Sequence, residues 1–310
     1  MSPSLTKKPP AYCIGAHLSI AGGVHNAIRQ ALRLELDTVQ IFVKNQRRWR
    51  ATPFKPNELK AWHELLKESG LGPLVAHATY LINLASNNIQ LYERSLRAFA
   101  EELRRCQMLA IPYLVLHPGA AGQQPAEVAL GRVAAALNRV MRGQPNLHTM
   151  PLLETTAGQG ATLGHSFEQL GAIIRLLDEP ERVGVCIDTC HVFAAGYDIR
   201  KPDKYEAMIA AVKRTVGLKR VRCWHLNDSK GACGSRVDRH EHIGRGRIGS
   251  AGFRNLLSDR RFRGVPMIIE TPKGANQLGG EWDRVNIQRL RAIAARVDVA
   301  ASRAAAERRS

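Results

Sequence analysis

A chain of 310 residues that is 45% hydrophobic can bury a large core, and nowhere does it hold the run of about 18 apolar residues that a membrane-spanning helix needs. Its 45 Lys and Arg against 27 Asp and Glu leave a net charge of +18, which favours encounter with polyanions, nucleic acid first, and gives no advantage with a neutral ligand. Six cysteines without a paired rhythm, and a start holding Lys7, Lys8, Pro9 and Pro10 but no apolar signal run, lead to the expectation of reduced thiols in a cytoplasmic protein, nucleoid-associated if the source is bacterial.

Strand-like apolar runs then alternate with helix-length amphipathic or Ala/Leu-rich segments to the end of the chain. The first pair is a strand over 12–19 and a helix over 23–34, followed by 38–44 with 56–68, 74–80 with 90–109, and 113–119 with 125–141. The second half repeats the rhythm: 150–156 with 167–178, 183–191 with 203–216, 221–228 with 251–257, and 265–272 with 282–296. Alternation of this kind implies parallel βαβ units, and eight of them in one chain imply an α/β fold, a single closed (β/α)8 TIM barrel. No Pro/Gly/Ser linker divides it, so one domain is expected over 11–296, preceded by a mobile extension, 1–10, and followed by a basic tail, 297–310.

Reactive side chains collect where these strands end. His77 closes "LVAHATY", His117 "YLVLHPG", Glu154 "PLLETTAGQG", Asp188 and His191 "VCIDTCH", His225 "VRCWHLND" and Glu270 "PMIIETP". In a parallel barrel all these ends open on one face, so the groups should surround one mouth. Asp238 and His240, in the loop "RVDRHEHIGRG", are placed to lean over it, facing the same way if that piece is extended. Within "VCIDTCH" the odd step from Asp188 to His191 requires the strand to stop near Asp188 and turn.

Any one of these residues alone is ordinarily a hydrogen-bonded core group. Together they are four carboxylates and five imidazoles around one opening, costly to desolvate unless cations compensate them. The donor set suits zinc, with manganese or iron as alternatives, and at about three protein ligands per catalytic metal it supports about three ions. Cys186 and Cys190 read as small core residues, since nitrogen and oxygen donors already suffice. Closely spaced divalent ions in a basic protein serve phosphodiester hydrolysis.

The segments "GAHLSIAGG", "FVKNQRRW", "HATYLINLAS", "LHPG", "ETTAGQG", "GVCIDTCHVFAAGYD", "HLNDSK", "GSRVDRHEHIGRGRIG" and "IIETP", in this order from about residue 12 to 272, resemble the endonuclease IV family of zinc-dependent apurinic/apyrimidinic endonucleases. The resemblance implies three Zn2+ per chain: one on His77, His117 and Glu154, one on Glu154, Asp188, His225 and Glu270, one on His191, Asp238 and His240. It makes Glu154 and Glu270 the expected catalytic carboxylates. It implies hydroxide attack on the phosphorus 5′ to an abasic site in duplex DNA, leaving a 3′-hydroxyl and a 5′-deoxyribose phosphate without a Schiff-base lysine. It also implies bent DNA with the abasic nucleotide turned out, contacted by Arg47, Tyr80 and Leu81. Arg48 stands where the family pattern usually shows glutamine, so its own contact with DNA is a separate expectation. A monomer is the default state.

Two rivals are weaker on the residues. A metal-dependent sugar isomerase on the same barrel has no use for a charge of +18, and nine candidate ligands exceed what two metals need. A nucleic-acid-binding protein with structural zinc would hold it in closed, Cys-rich tetrahedra rather than among carboxylates.

Overall fold

The computed structural model describes residues 11–275 and 280–307, with side chains as far as 302. Ten strands fall within them: β1 (Cys13–Leu18), β2 (Thr38–Phe42), β3 (Val75–His77), β4 (Tyr113–Leu116), β5 (Met150–Glu154), β6 (Gly184–Asp188), β7 (Val221–His225), β8 (Asp228–Ser229), β9 (His240–Glu241) and β10 (Pro266–Ile269). All but β8 and β9 close into one parallel barrel, β1 to β7 in sequence and then β10 back against β1; β8 and β9 form a separate antiparallel pair. The eight expected barrel strands are therefore present, most of them ending two or three residues earlier than expected because the chain leaves the ladder to turn over the mouth.

The α-helices among the described residues are α1 (His25–Arg33), α2 (Pro56–Ser69), α3 (Ile89–Met108), α4 (Ala126–Arg142), α5 (Phe167–Arg175), α6 (Thr189–Ala195), α7 (Pro202–Thr215), α8 (Gly249–Ser258) and α9 (Trp282–Glu307). Their starts follow local chemistry. Pro56 and Pro202 open α2 and α7 with a preset φ, while the side chains of Asn88 and Ser166 accept from the Leu91 and Gln169 N–H groups to cap α3 and α5. The strand in the segment 183–191 stops at Asp188, as the step to His191 required: its carboxylate caps α6, accepting from the His191 N–H at 2.9 Å. One expectation needs correction. The helix expected to end at 296 runs on to Glu307, and Asp298 ties it to the barrel floor through Tyr12 at 3.0 Å and Arg263 at 2.7 Å. Residues 1–10 and 308–310, named above as extension and tail end, lie outside the described residues.

The main core lies between strands and helices, around Trp62, Phe99, Phe167 and Phe253. A second cluster fills the barrel itself: Val75, Val115, Leu152, Cys186, Cys223 and Ile268, all buried. Two residues further along the same six strand paths stand His77, His117, Glu154, Asp188, His225 and Glu270. The period of two in an extended chain puts both sets on the inner side, one layer above the other. The lower layer is the floor on which the site is built, and each fully buried Val or Leu in it contributes ~1.5–3 kcal/mol.

Candidate metal centre

All nine side chains expected at the mouth come together there. Ligand atoms of His77, His117 and Glu154 lie within 4.8 Å of one another, as do those of Glu154, Asp188, His225 and Glu270, and those of His191, Asp238 and His240. Glu154 belongs to two groups: its Oε2 is 3.1 Å from His77 Nε2 and 3.0 Å from His117 Nε2, and its Oε1 is 2.7 Å from His225 Nδ1. The third group is reached through the turn at Asp188, which swings His191 to within 3.2 Å of Asp238, while β9 holds His240 3.3 Å from the other oxygen of Asp238.

The imidazole orientations test whether cations fit. A carbonyl oxygen can only accept, so His77 Nδ1–H donates to Ala78 O at 2.7 Å, His191 Nδ1–H to Thr155 O at 2.7 Å and His240 Nδ1–H to Glu270 O at 3.2 Å. In each ring the remaining Nε2 then turns its lone pair toward a carboxylate. For His225 the fixing group is Gln40, whose amide nitrogen must face Glu270 Oε1 at 2.6 Å and whose oxygen therefore accepts from His225 Nε2–H at 2.8 Å. That leaves His225 Nδ1 facing Glu154 and, at 3.2 Å, Glu270. Two acceptors this close repel unless a second proton or a cation lies between them, and His240 Nε2 is buried with no hydrogen-bond partner among the described residues. Imidazoles with one nitrogen tied to a carbonyl or amide and the other aimed at carboxylates have the arrangement of metal ligands.

Electrostatics agree. Burial disfavours a charged imidazole, yet the surrounding carboxylates, Asp188 first for His191 and Asp238 first for His240, lift His191 to about 10 and His240 to about 9. Burial likewise pushes Glu154 and Glu270 up, but His225 above all, with His117 for Glu154 and His17 for Glu270, draws both well below the usual carboxylate range. The site is thus a bed of anionic oxygens that demands positive charge.

Sequence reasoning missed the groups that hold the ligands. His17 sits 3.0 Å from Glu270 Oε1, Gln40 spans Glu270 and His225, and Asn227 donates to Asp188 at 2.6 Å while its oxygen accepts from Glu270 N at 2.7 Å. Asp228, fully buried, accepts from the N–H groups of Ser229, Gly244, Ile248 and Gly249 and so shapes the loop that carries Asp238 and His240. Gly246 packs against it so closely that a Cβ there would sit 2.5 Å from Asp228 Oδ1. A polar Gln40 inside the apolar run "TVQIF" was a readable signal. Cys186 and Cys223 face each other one layer down, but both ring nitrogens of His225 are already engaged, so the thiols act as packing groups.

Arg47, Arg48, Tyr80 and Leu81 stand on the loops after β2 and β3. Asn45 Oδ1 accepts from Arg47 N at 2.9 Å, and the turn carries both arginines outward into solvent. Thr79 O accepts from Ile82 N at 3.2 Å, placing Tyr80 and Leu81 at the turn corner; Tyr80 is 62% exposed, with its ring 5.5 Å from that of His77 and 5.9 Å from that of His117, whereas Leu81 is half-buried. A cavity of about 860 Å³ lined by His17, Ser19, Phe42, Asn45 and Arg47 among others opens beside the cluster. No helix among the described residues is long and apolar enough to cross a membrane.

Residues 28–293 match the family described as Xylose isomerase-like TIM barrel. Over 279 residues, 90% of this chain and 97% of the relative, the sequence is 50% identical to a protein of Chloroflexus aurantiacus named probable endonuclease 4. The solved endonuclease IV of Thermus thermophilus superposes with a TM-score of 0.79 at 38% identity, covering 90% of this chain and 98% of that one. A D-tagatose 3-epimerase-like protein, with a TM-score of 0.71 at 18% identity and coverage of 93% and 99%, shares the fold alone.

Proposed function

The chain belongs to the endonuclease IV family, and from that premise we propose that this DNA endonuclease acts in repair by hydrolysing the phosphodiester 5′ to an abasic site in duplex DNA, as a monomer, with three Zn2+ held by the nine residues at the barrel mouth. The observation that carries the reading is the sharing of Glu154 between two of three adjacent ligand groups at one opening. His77, His117 and Glu154 would hold one ion, Glu154, Asp188, His225 and Glu270 a second, and His191, Asp238 and His240 the third. Bound there, divalent cations supply a nucleophile at neutral pH, neutralise the non-bridging oxygens and stabilise the leaving alkoxide.

The chain's own residues do the rest. Gln40 and the carbonyls of Thr155, Ala78 and Glu270 hold a proton on the outer nitrogen of His225, His191, His77 and His240 and keep the inner nitrogen basic. Glu154 and Glu270, kept ionised, are the catalytic carboxylates flanking the reacting phosphate. Exposed Arg47 and Arg48 meet the backbone, and Tyr80 with Leu81 fills the space left by an extruded nucleotide. Products would be a 3′-hydroxyl and a 5′-deoxyribose phosphate.

A duplex carrying one tetrahydrofuran abasic analogue, which has no aldehyde for a lyase to attack, tests this directly. The expected result is a nick 5′ to the analogue, extendable by a polymerase, abolished by prolonged chelation and restored by zinc. Cleavage of a natural abasic site with an intact tetrahydrofuran duplex would mean β-elimination instead, and turnover of an aldose with no nick would mean an isomerase.

A further inference from the structure

Between the two loops just assigned to DNA lies a charge that the chemistry at the mouth does not use. Lys44, directly below the Arg47 turn, and Glu102, on α3, form an ion pair at 3.0 Å with side chains only 1% and 0% exposed. Removing two charges from water to this extent carries a large desolvation cost before their attraction is counted, so a buried pair is a poor device for stability alone. Its geometry suggests another use. Glu102 Oε1 accepts from the Thr79 hydroxyl at 2.9 Å and Oε2 from the Thr79 N–H at 3.1 Å, one residue before Tyr80. The same Lys44 ammonium that meets Glu102 also donates to Trp49 O at 2.9 Å, at the far end of the turn that carries Arg47 and Arg48.

The surrounding contacts make α3 the common base of both loops. Arg105 donates to Val43 O at 2.7 Å and to Thr52 O at 3.0 Å while its guanidinium covers the Phe54 ring at 3.6 Å; Arg94 covers the Trp49 ring at 4.5 Å. The loop after β2 is thereby pinned at Val43, Lys44, Trp49 and Thr52, and only Arg47 and its neighbours project. Glu102 touches both this loop's anchor and the other loop's turn.

We propose that Lys44, Glu102 and Thr79 are positioning residues forming a buried relay that locks the Arg47–Arg48 loop to the Tyr80–Leu81 loop, so that the two engage an abasic duplex as one preformed jaw. The proposal rests on the assignment of those loops to DNA, made above. Coupling of this kind leaves a thermodynamic signature: loops that dock or disengage as one unit weaken together, so loss of one contact weakens the other and the two losses combine non-additively.

The experiment is a mutant cycle read by affinity for a tetrahydrofuran duplex, with Arg47→Ala, Tyr80→Ala and the pair together. Each is made in the wild-type chain and in a Lys44→Met/Glu102→Gln chain, which removes the ion pair that joins the loops while leaving no buried charge unpaired. In the wild-type background the double loss should fall short of the product of the single losses by roughly fivefold or more; in the relay-cut background it should equal that product within about twofold. Zinc content should be the same throughout. Single losses that simply multiply in the wild-type chain overturn the relay and leave the DNA assignment standing. Full coupling in the relay-cut chain also overturns it. If neither single variant weakens binding, the loops do not contact DNA, and the assignment falls together with the relay. Should the relay-cut chain fail to fold, Thr79→Val removes only the hydroxyl contact; a drop in coupling supports the relay and undiminished coupling overturns it.

Discussion

Two layers of the barrel interior are built by the same six strands and obey opposite rules. In the lower one, Val75, Val115, Leu152, Cys186, Cys223 and Ile268 pack together, with Tyr113 and Met150 against them. Two residues on, His77, His117, Glu154, Asp188, His225 and Glu270 form a layer of imidazole nitrogens set against carboxylate oxygens, facing acceptors that call for added positive charge. The lower layer is satisfied by shape and the upper by charge. Substitutions that look alike on paper should therefore fail in different ways, one by unfolding and the other by losing metal and chemistry.

The largest effect is expected in the upper layer. Glu154→Gln removes a carboxylate shared by two ligand groups and should lower the incision rate by about a hundredfold or more, beyond the loss caused by His191→Ala, which disturbs one group. Affinity for the abasic duplex, measured alongside, should change much less, because Lys and Arg contacts to phosphate supply most of it. Equal rate losses for the two variants would remove the shared role of Glu154.

In the lower layer, Leu152→Ala stands two residues before Glu154 on the same strand. It should cost ~2–5 kcal/mol of unfolding free energy, with zinc content per folded chain unchanged. A normal denaturation midpoint together with lost zinc would erase the distinction between the layers.

A smaller effect follows from the raised imidazoles. With folded-state values of about 10 for His191 and about 9 for His240 against an ordinary 6.5, their protonation stabilises the metal-free protein fully below about pH 6.5, and that contribution disappears as pH rises through 9 to 10. Metal-free protein should therefore lose melting temperature between pH 7 and 10, while zinc-loaded protein, whose imidazoles carry no second proton, should change little over that range. Parallel pH profiles for the two forms would contradict this. The smallest effect concerns Arg48, exposed beyond both layers: Arg48→Gln should weaken duplex binding slightly and make the salt slope shallower by up to ~1 unit, read from affinities at several salt concentrations.

The upper layer was largely legible in the sequence because strand periodicity and chain order suffice to gather strand-end residues at one face of a parallel barrel. The step from Asp188 to His191 even required a turn there, which the structure supplies as α6. What could not be read were groups whose role depends on partners far along the chain. His17 meets Glu270 across 253 positions, and Gln40 meets His225 across 185. The apolar run around Gln40 marked it as unusual, but nothing local named the partner of either residue. The pairing of Lys44 with Glu102 was equally hidden, since a charged residue on a helix such as α3 reads as solvent-facing until packing turns it inward.

Completion of the upper layer by several cations is the central claim. The direct test is elemental analysis of protein purified without added metal, set beside its rate of incision at a tetrahydrofuran site. The expected result is about three zinc ions per fully active chain, one for each ligand group, with activity falling as they are stripped. A fully active chain holding one ion or none would contradict it.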